Sequence, residues 1–189
     1  LLVESLKKIT PAADTNNPKF ELNGALIDIR SNQINFVATD TRRLALVNLE
    51  SQNDAELSII VPKKAIIEIQ KLFDDNIEIY YDNTYLIIKS KDSLFFTKLI
   101  NGKFPDYNRI IPKEAHRVIS LPKGIFVTAI KQITTISNDL KLTFQNDSIL
   151  FESLSDDNIE AKTTVEIENG FESPFILAIN SRYILDFLS

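Results

Sequence analysis

The chain of 189 residues contains no cysteine, no methionine and no tryptophan, one histidine and only four glycines. Without cysteine there is no disulfide, no thiolate metal site and no cysteine nucleophile, and a reducing interior is allowed. Histidine-based triads and histidine metal clusters would have to be built on His116 alone, which lies in a polar stretch and reads as a solvated linker residue. Gly24, Gly102, Gly124 and Gly170 are too scattered for a phosphate-cradling loop, so the glycine-loop nucleotide enzymes drop out. No apolar run approaches the roughly 20 residues that span a bilayer, and no charged-then-apolar leader opens the chain, which predicts no membrane association and a cytoplasmic site of action. The missing methionine, an opening "LLVESLKKIT" already inside a helical pattern, and an ending "INSRYILDFLS" in mid-pattern predict that the chain is part of a larger protein.

What is present is the composition of a folded globular protein: 44% hydrophobic, 25% charged, net charge −5. Leu2, Leu6 and Ile9 recur at helical spacing until Pro11 ends the pattern. Period-2 segments "FELNGALIDI", "INFVATD", "RRLALVNLE" and "LSIIVP" then predict four strands. After Pro62, "KKAIIEIQKLF" predicts a helix with Ile66, Ile69 and Phe73 inward, followed by a meander of "NIEIYYD", "TYLIIKS" and "SLFFTKLI". "NGKFPDYNRIIPKEAH", broken by Gly102, Pro105 and Pro112, reads as an interdomain connector.

From Arg117 the order restarts. A strand "RVISLP" and a helix in "KGIFVTAIKQITTIS" with Ile125, Ala129, Ile133 and Ile136 apolar lead to strands "LKLTF", "SILFESL", "IEAKTTVEIE" and "PFILAI". A last helix is capped by Asn180 or Ser181. Helix, four strands, helix in each half predicts a repeated α+β unit of ordinary domain size, the second copy incomplete.

Few residues carry candidate chemistry. Asp74-Asp75 and Asp156-Asp157 lie in predicted turns, where aspartate favours local backbone hydrogen bonds over catalysis. Asp40-Thr41-Arg42-Arg43 interrupts two strands and admits three readings: a turn with a surface ion pair, a binding handle, or an acid with two phosphate-binding arginines. The last lacks a base, a nucleophile and a phosphate loop. Lys7, Lys8, Lys63, Lys64, Lys71, Lys123 and Lys131 fall on or at the starts of predicted helices while many acids fall between strands. In an acidic molecule that pattern makes a basic side if the helices share one face, although lysine is also an ordinary solvated helix residue.

"NFVATDTRRLAL", "VPKKAIIEI", "FFTKLINGKFPDYNRIIP" and "INSRYILDFL" together resemble the bacterial DNA sliding clamps, the beta subunits of DNA polymerase III, in order and over nearly the whole chain. The resemblance makes residues 1–113 a middle domain and 117–189 the opening part of a third. It implies an α+β DNA-clamp fold of repeated domains, with helices lining a channel and antiparallel sheets outside. It also implies a homodimeric ring that encircles double-stranded DNA without reading sequence, uses no cofactor or metal, and catalyses nothing. Partners implied are the DNA polymerase III catalytic subunit, the clamp loader, and other polymerases and repair proteins that insert a short peptide into a pocket; the nucleoid is the implied location.

Carried over residue by residue, the resemblance assigns the peptide pocket to Leu22, Thr39, Thr41, Arg42, Arg43, Leu44, Pro105, Arg109, Ile110, Asn180 and Tyr183. It assigns the DNA-facing surface to Lys7, Lys8, Asn16, Phe20, Lys63, Lys64, Lys71 and Lys131. Apolar members of the first set suit leucine or aromatic anchors, and the polar members suit a peptide backbone. Family members often carry glycine and histidine where Thr41 and Arg42 stand, which implies a bulkier, more positive rim here. Between "TISN" and "LKLTF" the family commonly has a longer segment that carries an aromatic residue of the pocket wall; this chain is short there, which implies a wall without that contact. Two other functions fit parts of the pattern: a repeat-built interaction scaffold with no DNA role, and a phosphoryl-transfer enzyme using Asp40, Arg42 and Arg43.

Overall fold

The computed structural model describes residues 1–54, 56–74, 76–114, 118–154 and 161–188. His116, Arg117, Asp75, Asp156 and Asp157 lie outside the described residues. Two compact units divide the chain, Leu1–Ile111 and Pro112–Ser189.

In the first unit, helix α1 (Leu2–Ile9) precedes strands β1 (Gly24–Arg30), β2 (Gln33–Thr39), β3 (Leu44–Glu50) and β4 (Leu57–Pro62). Helix α2 (Lys63–Leu72) and the meander β5 (Glu78–Tyr81), β6 (Tyr85–Lys89), β7 (Leu94–Lys98) follow. The four-stranded sheet runs β3-β2-β1-β4, all antiparallel, and β5-β6-β7 forms a second sheet. Alternation along β1 and β2 sends Ala25, Ile27, Phe36 and Ala38 to one face, where Leu6 and Ile9 of α1 and Ile66 and Ile69 of α2 cover them. Leu86 and Ile88 of β6 join the same core. Gly24 is required where β1 begins, because a side chain there would collide with the Val61 carbonyl and the Ile100 side chain.

The other face of that sheet is also covered. Leu26, Val37 and Ile60 pack under Phe104 and Tyr107, with Leu44, Ile100 and Ile111 at the margin. The stretch expected to be an interdomain connector is therefore part of the first unit up to Ile111, held by two buried rings and by the Ile100 N–H donating to the Ile60 carbonyl at 2.9 Å.

The second unit holds α3 (Lys123–Thr134), β8 (Asp139–Gln145), β9 (Ser148–Ser153), β10 (Lys162–Glu166), β11 (Phe175–Asn180) and α4 (Ser181–Leu188). Its sheet order, β10-β9-β8-β11, repeats that of the first: three strands in a meander, with the strand that leads into the next helix on the free edge of the first strand. Two expectations fail here. Residues 118–122 form no strand. Helix α3 buries Phe126, Ala129, Ile130 and Ile133, while Ile125 and Ile136 are about half exposed, at 53% and 48%. Ile125 and Val127 extend the apolar residues to either side of the buried stripe, so spacing alone does not set its bounds; the sheet does.

Candidate functional site

The loop between β2 and β3 is organised by one carboxylate. Asp40 Oδ1 accepts the backbone N–H groups of Arg42 and Arg43, both at 3.0 Å, and Oδ2 accepts Arg43 Nε at 3.1 Å. Thr39 Oγ1 donates to the Arg43 carbonyl at 2.6 Å and accepts the Thr41 N–H at 3.2 Å. The guanidinium of Arg43 also donates to the carbonyl of Pro11, which ties the loop to the chain leaving α1. Asp40 is thus occupied as a loop pin, the ordinary work of aspartate in a turn, and Arg43 as its clasp. Thr41 and Arg42 stand exposed at the tip, with Thr41 in the left-handed region at φ 76°.

A second loop covers the sheet face opposite α1 and α2. Phe104 and Tyr107 are buried there while Pro105 is half-buried between them and Arg109 and Ile110 face outward, Ile110 at 56% exposure. Burying one such ring contributes about 1.5–3 kcal/mol. A single 3-10 turn, Tyr107–Arg109, follows, closed by the Arg109 N–H on the Asp106 carbonyl and the Ile110 N–H on the Tyr107 carbonyl at 3.0 Å. Arg109 pairs with Asp106 at 3.0 Å. Leu44 packs against the cluster that holds Phe104 and Tyr107, so the Thr39–Leu44 and Pro105–Ile110 loops share one apolar floor. Leu22, by contrast, is closed to solvent at 1% exposure and supports its surroundings from within.

Beneath Tyr107 is a feature the sequence reading missed. Asp28, Asn35 and Asn48 stand directly opposite one another on β1, β2 and β3. Asn48 Nδ2 donates to Asn35 Oδ1 at 2.7 Å, Asn35 Nδ2 donates to the Tyr107 hydroxyl at 3.2 Å, and that hydroxyl donates to Asp28 Oδ2 at 3.4 Å. Arg30 clasps Asp28 at 3.0 Å. Burial first, and the Asp28 carboxylate second, push the Tyr107 phenol above its ordinary value, so it is a neutral donor at physiological pH. A charged residue inside the apolar run "LIDI" was the available signal.

In the second unit, Asn180 closes β11 and caps α4: its Oδ1 accepts the Arg182 N–H at 3.1 Å, and its Nδ2 donates to Asp139 at 3.3 Å. Tyr183 is half-buried in the first turn of α4.

Three helices carry a net positive charge. Helices α1, α2 and α3 hold seven lysines against two glutamates in a chain of net charge −5. Lys7 and Lys71 pair with Glu4 and Glu68 at 3.1 and 2.8 Å, and Lys63 Nζ donates to the Ala13 carbonyl at 2.7 Å. Lys8, Lys64 and Lys131 are exposed. Near α1, a loop presents exposed Asn16 and Phe20, Phe20 at 75% exposure. Asp14 holds this loop by accepting from Thr15 N–H and Asn17 Nδ2, and those bonds, the Asn17 one foremost, lower its pKa. Among the described residues no group of three His, Asp or Glu side chains is placed to hold a metal ion, and no helix is long and apolar enough to cross a membrane.

In fold, this is the architecture of a beta clamp. The Helicobacter pylori beta clamp solved with a DNA ligase peptide superimposes with a TM-score of 0.91 over 99% of this chain and 54% of that one, at 37% identity. The beta subunit from Pseudomonas aeruginosa, at 24% identity and TM-score 0.92, shares the fold. The chain belongs to the DNA polymerase III beta subunit family: the model of the family's central domain matches residues 1–106 and that of its C-terminal domain residues 108–189. The beta sliding clamp of Helicobacter pylori strain 26695 is 39% identical over 197 aligned positions, covering all of this chain and 53% of the relative. The chain therefore spans about half the length of the curated relatives it matches.

Proposed function

We propose that the intact protein is a processivity factor, a homodimeric ring that encircles duplex DNA and tethers replication and repair proteins through a short peptide. One observation carries the reading: over 99% of its length the chain matches, at 37% identity, a beta clamp solved with a DNA ligase peptide. The excess of lysine over acid on the helices supports the DNA half of the reading, because such lysines in an otherwise acidic molecule attract a polyanion without reading bases. The exposed Thr41, Arg42, Arg109 and Ile110 above an apolar floor support the peptide half, an aliphatic or aromatic anchor meeting Ile110, Leu44 and Pro105 while the rim holds polar groups. Asn180 and Tyr183 are proposed as further peptide contacts, with Leu22 and Arg43 acting behind the contact surface.

On this reading residues 1–113 are the middle domain and 117–189 the beginning of the third. The protein works in the cytoplasm on nucleoid DNA, with the polymerase catalytic subunit, the clamp loader and other polymerases as partners, and it performs no chemistry. The employment of Asp40 as a loop pin removes the acid that a phosphoryl-transfer mechanism would need.

The test is a titration of the intact protein with a fluorescent peptide from a DNA ligase or replicative polymerase. Saturable binding is expected, and Ile110→Asp should weaken it about tenfold or more, since a charge would replace an exposed anchor contact. Absence of binding, or equal binding by the variant, overturns the reading.

A further inference from the structure

The peptide-facing groups Pro105, Arg109 and Ile110 sit on a loop with little regular structure, one 3-10 turn long, and something must fix it before a partner arrives. Two buried rings hold it down. Phe104 enters an apolar patch of Leu26, Val37 and Ile60, and any apolar side chain of similar size would do the same. Tyr107 is different. Its ring is buried at 8% exposure, and its hydroxyl ends over a row in which three polar side chains from three adjacent strands oppose one another: Asp28, Asn35 and Asn48. Asp28 and Asn35 are themselves buried.

Each member of the row is oriented by the next. Asn48 donates its amide N–H to Asn35 Oδ1 at 2.7 Å, which turns the Asn35 amide nitrogen toward the Tyr107 oxygen at 3.2 Å; Arg30 fixes Asp28, whose Oδ2 accepts the phenol O–H at 3.4 Å. A donor and an acceptor therefore flank one hydroxyl and admit one seating of the ring. The carbonyl of the same residue accepts the N–H groups of Ile110 and Ile111 at 3.0 and 3.2 Å, so the seat of Tyr107 sets the course of the backbone at Ile110.

We propose that the Tyr107 hydroxyl, docked between Asn35 and Asp28, is a positioning group that holds the Pro105–Ile110 wall in its peptide-competent form. This rests on the peptide-docking reading above and adds to it the residue that preorganises the wall. A loop that samples other seatings binds with its affinity reduced by the fraction of time spent competent.

Tyr107→Phe in the intact protein tests this, because it keeps the ring and removes only the hydroxyl. Peptide affinity should fall about threefold to tenfold, chiefly in the association rate. Amide hydrogen exchange at Ile110 and Ile111 should quicken while that of Ile27 and Phe36, in the sheet core, stays as it was. In an Asn35→Ala, Asp28→Ala background the same change should have little further effect on affinity, since the two sheet partners that seat the hydroxyl are gone. Unchanged affinity and unchanged exchange at Ile110 and Ile111 overturn the proposal. So does faster exchange across the whole unit, which would mean that the hydroxyl serves general stability. If the unaltered protein binds no peptide, the proposed function fails, and the exchange at Ile110 and Ile111 alone decides whether Tyr107 positions the loop.

Discussion

Thr41 carries the most unusual backbone of any described non-glycine residue, with φ at 76°. A β-branched side chain in the left-handed region costs about 1–2 kcal/mol, and the Asp40 pin with its two backbone hydrogen bonds is what holds it there. Glycine would relieve that cost and give back part of it as chain entropy when unfolded, roughly 0.5–1 kcal/mol. Thr41→Gly is therefore expected to stabilise the protein by about 0.5–1 kcal/mol, read as a higher urea midpoint with an unchanged slope. A lower midpoint would show that the threonine side chain makes interactions worth more than the strain. The same position forms the tip of the proposed rim, so retaining threonine there trades stability for a defined surface.

At the scale of elements, the loop from Asp14 to Asn23 is anchored at one end by the buried Leu22 and ordered along the rest of its length by side-chain hydrogen bonds. Asp14 gathers Thr15, Asn16 and Asn17, and Asn17 and Asn23 exchange two hydrogen bonds at 2.7 and 2.9 Å. The hydrogen bonds lower the Asp14 pKa beneath 3.8, so its carboxylate contributes fully above that pH and the contribution is lost as pH falls through the lower folded value. The expected outcome is that the Asn17 side-chain amide resonance stays constant from neutral pH to about 4 and moves only below it, and that Asp14→Asn abolishes the transition. A midpoint above 3.8 would contradict the hydrogen-bond account. Because Asn16 and Phe20 ride on this loop, its order bears on the proposed DNA-facing surface.

For the whole molecule, the sign of the charge is less informative than its distribution. Lys7 and Lys71 are paired with Glu4 and Glu68, exposed pairs worth only about 0.3–0.5 kcal/mol, and Lys63 is engaged with a carbonyl, which among the six lysines of the proposed DNA-facing surface leaves Lys8, Lys64 and Lys131 as the more available charges. Replacing those three with alanine should leave stability nearly unchanged and flatten the salt dependence of DNA affinity, by at most about 0.9 in log–log slope for each phosphate that is no longer neutralised. Measurement of retention on circular DNA across a salt series gives the slope; an unaltered slope would remove these lysines from the proposed DNA-facing surface.

Much of this was legible in residue order. The period-2 segments, the two lysine-bearing amphipathic helices of the first unit, the break at Asp40 and the repeat of helix, four strands and helix all follow from local spacing, because backbone hydrogen bonding and burial of one face act within a few residues. Three things waited for tertiary structure. Helix α3 carries Ile125 and Val127 on the margins of its apolar stripe, and only its packing selects Phe126 and Ile130 over the half-exposed Ile125. The stretch after Gly102 looks like a connector until Phe104 and Tyr107 find the outer face of β1 and β2. And Asp28, Asn35 and Asn48 become a single polar row only through strand register, which brings together side chains far apart in sequence and gives a distant tyrosine a place to dock. The sequence determines what each segment prefers by itself; which of its faces another segment will cover is decided by long-range packing, where no local pattern reaches.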